Sequence, residues 1–155
     1  MMVNQPRVSI NTDLSDGLCF GCGENNPIGL KLSFSWDGRT ARAEFTPDRL
    51  YQGWSGVVHG GILSCLLDEV MSHAATFKGL HCLTTRMEVR FKRPARVAEP
   101  LVVTATITEQ NKRMLETEGK VTLTDGTLVA EGNATWFIIE TSASQKGEPR
   151  DNAGK

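Results

Sequence analysis

Two adjacent acids, Asp68 and Glu69, interrupt an otherwise apolar stretch of the chain. Burying an unpaired carboxylate is costly, so such a group needs a partner or a function. Ser64, Asp68 and Ser72 are spaced i, i+4, i+8 and would share one helix face, where small hydroxyls leave room for a ligand. Glu69 would share an adjacent face with His73 and could simply pair with it. Neighbouring helical residues point about 100° apart, so one site can use only one of these acids, and we favour Asp68. The alternative is that both acids reach an exposed strip of the helix.

Two consecutive glycines, Gly60 and Gly61, follow His59 where this stretch begins. Glycine costs helix stability, so a pair at a helix start suggests close backbone approach. Free N–H groups at a helix N-terminus bind anions and could hold the oxyanion that forms when a carbonyl is attacked. The alternative is a tight turn into the helix. We include His59 among the candidate catalytic residues, although a histidine there more often fixes a loop than acts as a base.

The spacing of the two candidate groups has a geometric consequence. Gly60 and Asp68 are eight residues apart, which is about 12 Å along a helix at 1.5 Å per residue. Groups that act on one carbonyl must each lie about 3 Å from the reacting atoms. One chain therefore cannot supply both groups to one substrate. A two-fold dimer with antiparallel helices could bring Gly60 of one copy toward Asp68 of the other.

The elements that must position these groups can be read from periodicity. Residues 60–77 lack alternation and proline and predict one helix of four to five turns, apolar on most sides and therefore surrounded by other structure. Period-two alternation predicts strands elsewhere, with turn signals at Asp37-Gly38 and Asp125-Gly126. The predicted strands cover 30–36, about 41–45, 83–91, 101–110, 114–124 and 128–139. The sequence predicts an α+β fold in which a curved, mainly antiparallel sheet wraps around one central helix.

Composition bounds the function classes. The chain has 155 residues, and 17 Lys and Arg nearly balance 18 Asp and Glu. A nucleic-acid binder would usually show a basic excess. We see no secretory signal and no membrane segment, so we expect a cytoplasmic protein with reduced cysteines. We divide the chain into a loose N-terminal leader at 1–17, one domain at 18–140 and a disordered tail at 141–155.

Two other patterns are set aside. Cys19-x-x-Cys22 could form half a zinc site, but no second CxxC or histidine pair has suitable spacing, so we expect no metal and interpret these cysteines as packing in a glycine-rich turn. Gly53-Trp54-Ser55-Gly56 is not a G-x-S-x-G motif, which argues against a serine hydrolase. Trp54, Met71 and Phe77 could line an apolar ligand pocket.

At this point the pattern resembles a known family. Tyr51 to Gly61, followed by Leu66-Leu67-Asp68-Glu69, resembles the hot-dog thioesterases of the phenylacetate-pathway (PaaI-like) type. The segments 19–23, 26–30 and 84–94 are also similar, so the likeness covers about residues 18–140. The resemblance implies a hot-dog fold and an acyl-CoA thioesterase that works as a homodimer or homotetramer without a cofactor.

The resemblance also implies residue roles. Asp68 would be the general base or nucleophile, the Gly60 N–H would polarise the thioester carbonyl, and Thr84 would help position the water. Gly61 would also contact the substrate, and Arg90, Lys92 and Arg93 would suit CoA phosphates or form a solvated basic edge. Many relatives have an asparagine six residues before the histidine, whereas this chain has Gly53, so Gly60 or Gln52 would carry more of the carbonyl contact.

Rival functions remain open on the sequence. The first is a non-catalytic acyl-CoA-binding or regulatory hot-dog protein, which Asp68 argues against and Gly53 weakly favours. The second is a dehydratase that acts on a hydroxyacyl thioester, which would usually pair a histidine with an acid in a different helix context. The acyl group, and the choice between CoA and an acyl-carrier protein, are not encoded in any motif.

Overall fold

The structure is a computed structural model that describes residues 10–13 and 15–139. It contains one long helix, α1 (Gly60–Phe77), and a short 3₁₀ turn at Arg49–Tyr51. Two strands precede α1 and four follow it. They are β1 (Phe34–Trp36), β2 (Thr40–Phe45), β3 (Cys82–Phe91), β4 (Leu101–Gln110), β5 (Met114–Leu123) and β6 (Leu128–Ile138). The predicted order of elements is confirmed.

The six strands form one antiparallel sheet in the order β1-β2-β4-β5-β6-β3. Helix α1 packs against this sheet and contacts all six strands, with most contacts to β4 and β5. The strands that precede and follow α1 in the sequence are β2 and β3. In the sheet they lie on opposite sides of the three central strands β4, β5 and β6. A sheet that reaches one helix with every strand must curve around it, as the sequence predicts.

The core lies between the helix and the concave face of the sheet. Seven residues of α1 are buried: Leu63, Leu66, Leu67, Val70, Met71, Ala74 and Ala75. They pack on alternate residues of the strands, including Val103, Leu115 and Val121, which are at most 1% exposed. The one buried polar side chain among the described residues is Thr117, which accepts a 2.8 Å hydrogen bond from Trp136 Nε1. The core is therefore apolar and fixes α1 against the sheet.

The first predicted strand is shorter than expected. Leu30 and Leu32 are buried as their alternation suggests, but strand pairing covers only Phe34–Trp36. The N–H groups of Leu30 and Leu32 instead donate to the carbonyls of Phe20 and Gly21, at 2.8 and 2.9 Å. Lys31 between them has a φ of +54°, which no extended strand allows. The local backbone is therefore fixed by the preceding turn rather than by a neighbouring strand.

Strand β3 forms an edge of the sheet. It pairs with β6 along its whole length, and no other described strand pairs with its second side. Two large apolar side chains at its ends are exposed, Leu83 at 39% and Phe91 at 53%. A ten-residue edge strand is long enough to add a further strand, so this edge is a candidate for association between copies.

The predicted division of the chain is only partly covered by the described residues. The tail at 141–155 lies outside them, as do residues 1–9 and 14 of the predicted leader. Within the described residues, no helix has the length and apolar character that crossing a membrane requires.

Candidate functional site

Within the described part of the chain, the start of α1 leaves one backbone N–H, that of Gly60, without a partner. His59 is the N-cap, and its Nδ1 accepts a hydrogen bond from the Gly61 N–H at 2.8 Å. The Gly60 N–H has no acceptor within hydrogen-bond distance among residues 10–13 and 15–139. An unpaired N–H in the first helical turn, reinforced by the helix dipole, is suited to a partly negative oxygen.

Through the capping hydrogen bond, His59 and Gly61 both stabilise the start of the helix. The ring of His59 holds the loop through Nδ1, which is the loop-fixing alternative considered for the sequence. The Gly61 N–H, which we expected to face a substrate, is engaged by that ring within the chain. Of the two glycines, Gly60 is therefore the one whose N–H is available to a ligand.

A loop over residues 51–58 leads into this helix. The Gly53 N–H donates to the Val57 carbonyl at 2.8 Å, and the Gln52 side-chain oxygen accepts from the Gly56 N–H at 3.1 Å. Gln52 thus braces the loop. A Cβ added at Gly53 would lie 3.5 Å from His59 atoms, which is an ordinary contact distance. The position that carries asparagine in many relatives is therefore beside the helix start, with room for a side chain.

A cavity of about 440 Å³ opens at the helix start. It is lined by Gly53, Trp54, Val57, Val58, His59 and Gly60. The ring of Phe91, at the end of β3, lies 3.6 Å from where a Cβ on Gly60 would be. Sequence reasoning did not select Phe91 as a site residue, although an aromatic at a strand end beside a basic run was a signal for it. The Gly60 N–H therefore lies in a partly apolar setting.

Only one of the three apolar residues suggested as pocket lining contributes to this cavity. Trp54 does so, and this residue is 87% exposed in the isolated chain. Met71 is fully buried and packs near Gly119 of β5, so it belongs to the core. Phe77 stacks on Trp36 at a centroid distance of 5.5 Å at the far end of α1. The expectation for Met71 was wrong because its face of α1 is covered by the sheet.

Asp68 and Thr84 meet across the gap between α1 and β3. The Thr84 hydroxyl donates to Oδ1 of Asp68 at 2.9 Å, while Asp68 is half-buried and Thr84 is exposed. The β3–β6 register shifts between Thr84 and Arg86, and the Thr85 hydroxyl donates to the Thr135 carbonyl at 2.9 Å. A bulge of this kind re-aims neighbouring side chains. The hydrogen bond orients the carboxylate and leaves Oδ2 without a partner among the described residues.

Asp68 and the helix start lie apart in one chain. Both lie on the unbroken helix α1, separated by eight residues and therefore by about 12 Å along its axis. Asp68 is not among the residues that line the cavity at Gly60. The two groups that could act on a carbonyl are thus both present, but a single chain does not bring them together.

The three basic residues near the end of β3 differ in their partners. Arg90 contacts Glu88 at 3.2 Å, and Lys92 contacts Glu131 at 3.3 Å. Arg93 has no carboxylate within 4.0 Å in the described part of the chain. Arg90 and Lys92 adjoin Phe91 in the sequence, but alternation along the strand turns their side chains to the face of the sheet opposite the Phe91 ring, which lies at Gly60. Arg90 and Lys92 are therefore paired with glutamates on the outer face of the sheet, and Arg93 is the one of the three without an ion-pair contact among the described residues.

Glu69 faces a different part of the molecule from Asp68. Burial, and secondarily the charge of Asp68, raises the pKa of Glu69 to about 7. His73 Nδ1 lies 3.9 Å from a Glu69 carboxylate oxygen, but its N–H donates to the Glu69 backbone carbonyl at 3.0 Å. Burial lowers the pKa of His73. The expected Glu69–His73 pair is therefore present only as a long contact in which the imidazole is not disposed to be cationic.

Comparisons with known proteins agree with this architecture. The model of the Thioesterase superfamily matches residues 55–130. Mouse acyl-coenzyme A thioesterase 13 is 31% identical over 83 residues, which cover 52% of this chain and 59% of that protein. The aligned region thus spans less than two thirds of this curated relative.

Solved structures extend the similarity to the fold. The crystal structure of a thioesterase superfamily protein is 25% identical and has a TM-score of 0.72, with 86% of this chain and 72% of that chain covered. The Escherichia coli PaaI protein from the phenylacetic acid degradation operon is 22% identical with a TM-score of 0.66, covering 70% and 83%. The predicted hot-dog fold is confirmed.

The chain is similar to the Thioesterase superfamily over residues 55–130, and it has the hot-dog fold of these solved structures. The resemblance found in residues 51–69 is thereby confirmed. The family match includes Gly60, Asp68 and Thr84, because all three lie within residues 55–130.

Proposed function

We propose that two copies of this chain form a dimer that hydrolyses acyl-CoA thioesters at two composite sites. In each site the Gly60 N–H of one copy would hold the thioester carbonyl oxygen, and Asp68 of the other copy would act on the carbonyl carbon. Water then supplies the hydroxyl of the acid product, the carbon–sulfur bond breaks, and the CoA sulfur leaves as a thiol after taking a proton. Asp68 serves either as the base that activates water or as the nucleophile that attacks first.

The observation that carries this proposal is the pair of available groups on one helix. Asp68 is oriented by Thr84 through a 2.9 Å hydrogen bond and has a second oxygen without a partner among the described residues. The Gly60 N–H is likewise unpaired there. A fixed carboxylate and an unpaired N–H at a helix start are the two components that acyl transfer requires.

The sheet edge supports the dimer. If β3 of two copies paired in an antiparallel way, the six-stranded sheets would continue into one another and cover Leu83 and Phe91. A two-fold axis perpendicular to β3 at that edge would also run the two α1 helices in opposite directions. Asp68 lies on the side of α1 that faces this edge, because it contacts Thr84 of β3. This arrangement would move Asp68 of one copy toward Gly60 of the other. A homotetramer built from two such dimers is the larger assembly that the family resemblance predicts.

The CoA portion would lie over the end of β3. Of the three basic residues that adjoin Phe91 in the sequence, Arg93 has no ion-pair partner in the described chain, while Arg90 and Lys92 each contact a glutamate. Guanidinium and ammonium groups bind phosphate strongly, so these residues are suited to the phosphates of CoA. The acyl group would then enter past Gly53 and Trp54. The name of the mouse relative, which specifies acyl-coenzyme A, supports this substrate class. No redox group or other cofactor is required for the hydrolysis.

The rival function is a non-catalytic acyl-CoA-binding protein, favoured by Gly53 at the position where many relatives carry asparagine. Two measurements on the wild-type protein discriminate the two. Free-thiol release should be measured over a panel of aryl and aliphatic CoA esters, and titration calorimetry should be done with a non-hydrolysable acyl-CoA. We expect binding together with enzyme-dependent thiol release from at least one class of ester. Binding without thiol release across the panel would favour the regulatory protein and contradict the proposed hydrolysis.

A further inference from the structure

The Cys19-x-x-Cys22 turn meets Glu69 of helix α1 in the folded chain. The two thiol sulfurs and a Glu69 carboxylate oxygen all lie within 4.8 Å of one another. The Cys19 sulfur is 4.0 Å from Glu69 Oε1. All three side chains are partly buried. Glu69 is fifty residues from Cys19 in the sequence, so the spacing of the cysteines alone does not reveal this third group.

The turn is built to bring these groups together. The Gly23 N–H donates to the Cys19 carbonyl at 2.9 Å and closes the turn between the cysteines. A Cβ at Gly21 would lie 2.0 Å from the carboxyl carbon of Glu69, so only glycine lets the carboxylate approach. The carbonyls of Phe20 and Gly21 are held by the N–H groups of Leu30 and Leu32. The backbone hydrogen bonds of this turn therefore hold both cysteines beside the Glu69 carboxylate.

Glu69 also lacks the cation that a buried carboxylate usually has. Its side chain is 17% exposed, and within the described residues no lysine or arginine lies within 4.0 Å of it. The imidazole of His73 uses its Nδ1–H on a backbone carbonyl. A divalent cation would compensate the charge of the carboxylate and of two thiolates together.

We propose that Cys19, Cys22 and Glu69 bind a zinc ion that fastens the N-terminal turn to helix α1. Two thiolates select a borderline-soft metal such as Zn²⁺ over Mg²⁺ or Ca²⁺. Tetrahedral zinc with bonds of about 2.0–2.3 Å separates its ligand atoms by about 3.5–3.8 Å, slightly less than the spacing found here. The fourth position is open to water or to Cys65, which lies one turn before Glu69 on α1. Binding releases the thiol protons to solvent and changes no oxidation state.

A metal that fastens this turn would also hold the part of helix α1 that carries Asp68. Glu69 follows Asp68 directly, so a metal at Glu69 fixes the rotation of α1 about its axis at that point. The sequence alone predicts no metal here, because no second CxxC or histidine pair accompanies Cys19 and Cys22 at a suitable spacing. The proposal is independent of thioester hydrolysis, since it concerns the fold of the turn and not the reaction.

The test is the metal content of the full chain, purified with a tag that contains no histidine and without chelator. We expect about one zinc per chain in the wild-type protein. The variants Cys19→Ser, Cys22→Ser and Glu69→Gln should fall to the background level. Cys82→Ser is the matched control, because Cys82 is a partly buried cysteine on β3 outside the group, and it should keep the zinc.

A second measurement keeps the proposal testable if the cysteine variants fail to fold. Reduced, metal-free wild-type protein should be titrated with Co²⁺, and a thiolate-to-cobalt charge-transfer band is expected, which Glu69→Gln should weaken or remove. Absence of zinc from the wild-type protein together with no cobalt band would overturn the proposal. A wild-type protein that is metal-free and carries a Cys19–Cys22 disulfide by intact mass would overturn it as well. Zinc binding with no detectable thioesterase activity would leave this proposal standing and contradict the other.

Discussion

Asp68→Asn is expected to lower kcat for thioester hydrolysis by about 10²–10⁴-fold, the range usual for loss of a general acid–base group. Asparagine has nearly the same shape as aspartate, and its amide oxygen can still accept the hydrogen bond from the Thr84 hydroxyl. The substitution removes the negative charge that would activate water or attack the carbonyl. Because the proposed contact of the carbonyl oxygen with the Gly60 N–H remains, KM should change much less than kcat. The measurement is steady-state thiol release with a CoA ester that the wild-type protein hydrolyses.

The matched control for this variant is Asp125→Asn. Asp125 is an exposed acid in the β5–β6 turn, where its side chain accepts from the Thr127 N–H at 2.9 Å, and asparagine can accept the same bond. The control should keep wild-type activity, and both variants should keep the wild-type oligomeric state and circular dichroism spectrum. An Asp68→Asn protein that is folded and as active as the control would rule out the role given to Asp68.

Gly60→Pro is expected to lower kcat by about 10²–10³-fold, the usual effect of removing one oxyanion-hole donor. Proline at this position deletes the N–H that is proposed to hold the carbonyl oxygen. Gly60 is the first helical residue after the N-cap His59, and proline is well tolerated at that position because its missing N–H makes no helical bond. His59 has φ −61° and ψ 133°, an extended conformation that a following proline allows. The thermal unfolding temperature should therefore change little.

Gly60→Ala separates the loss of the N–H from the addition of a side chain. Alanine keeps the donor, and its Cβ would meet the Phe91 ring at 3.6 Å, which is an ordinary contact. We expect its kcat to fall far less than that of Gly60→Pro. If both variants lost activity equally, the effect would come from steric contact with Phe91, and the assignment of the Gly60 N–H would fail.

Much of this fold is readable from the sequence because local and tertiary preferences agree. Helix α1 occupies the predicted residues 60–77, since an apolar stretch without proline begins at a glycine pair that a histidine caps. Strand β4 also has its predicted bounds, because its alternating Val, Ile and Thr residues place one face on the core. The predicted strand β1 was too long. Leu30 and Leu32 follow the alternating pattern of a buried strand face, but their N–H groups donate hydrogen bonds to the carbonyls of residues 20 and 21 rather than to a neighbouring strand.

The candidate site divides in the same way. Gly60 and Asp68 could be chosen because their chemistry is local to one helix, and their separation follows from helix rise alone. The engagement of Gly61 by His59 and of Gln52 by Gly56 depends on loop geometry, which spacing does not specify. The contact of Glu69 with Cys19 joins positions fifty residues apart. No local pattern encodes such a contact, because it depends on how the N-terminal turn crosses the finished helix.

Each site is proposed to take Gly60 from one copy and Asp68 from the other, and a mixed dimer tests this arrangement directly. The Asp68→Asn and Gly60→Pro chains should be given different tags, co-expressed and purified as heterodimers by two affinity steps. In such a heterodimer one composite site has both wild-type groups and the other has neither, so turnover should recover to about half that of the wild-type dimer. A heterodimer no more active than either variant homodimer would contradict the account, because it would mean that each chain must supply both groups itself.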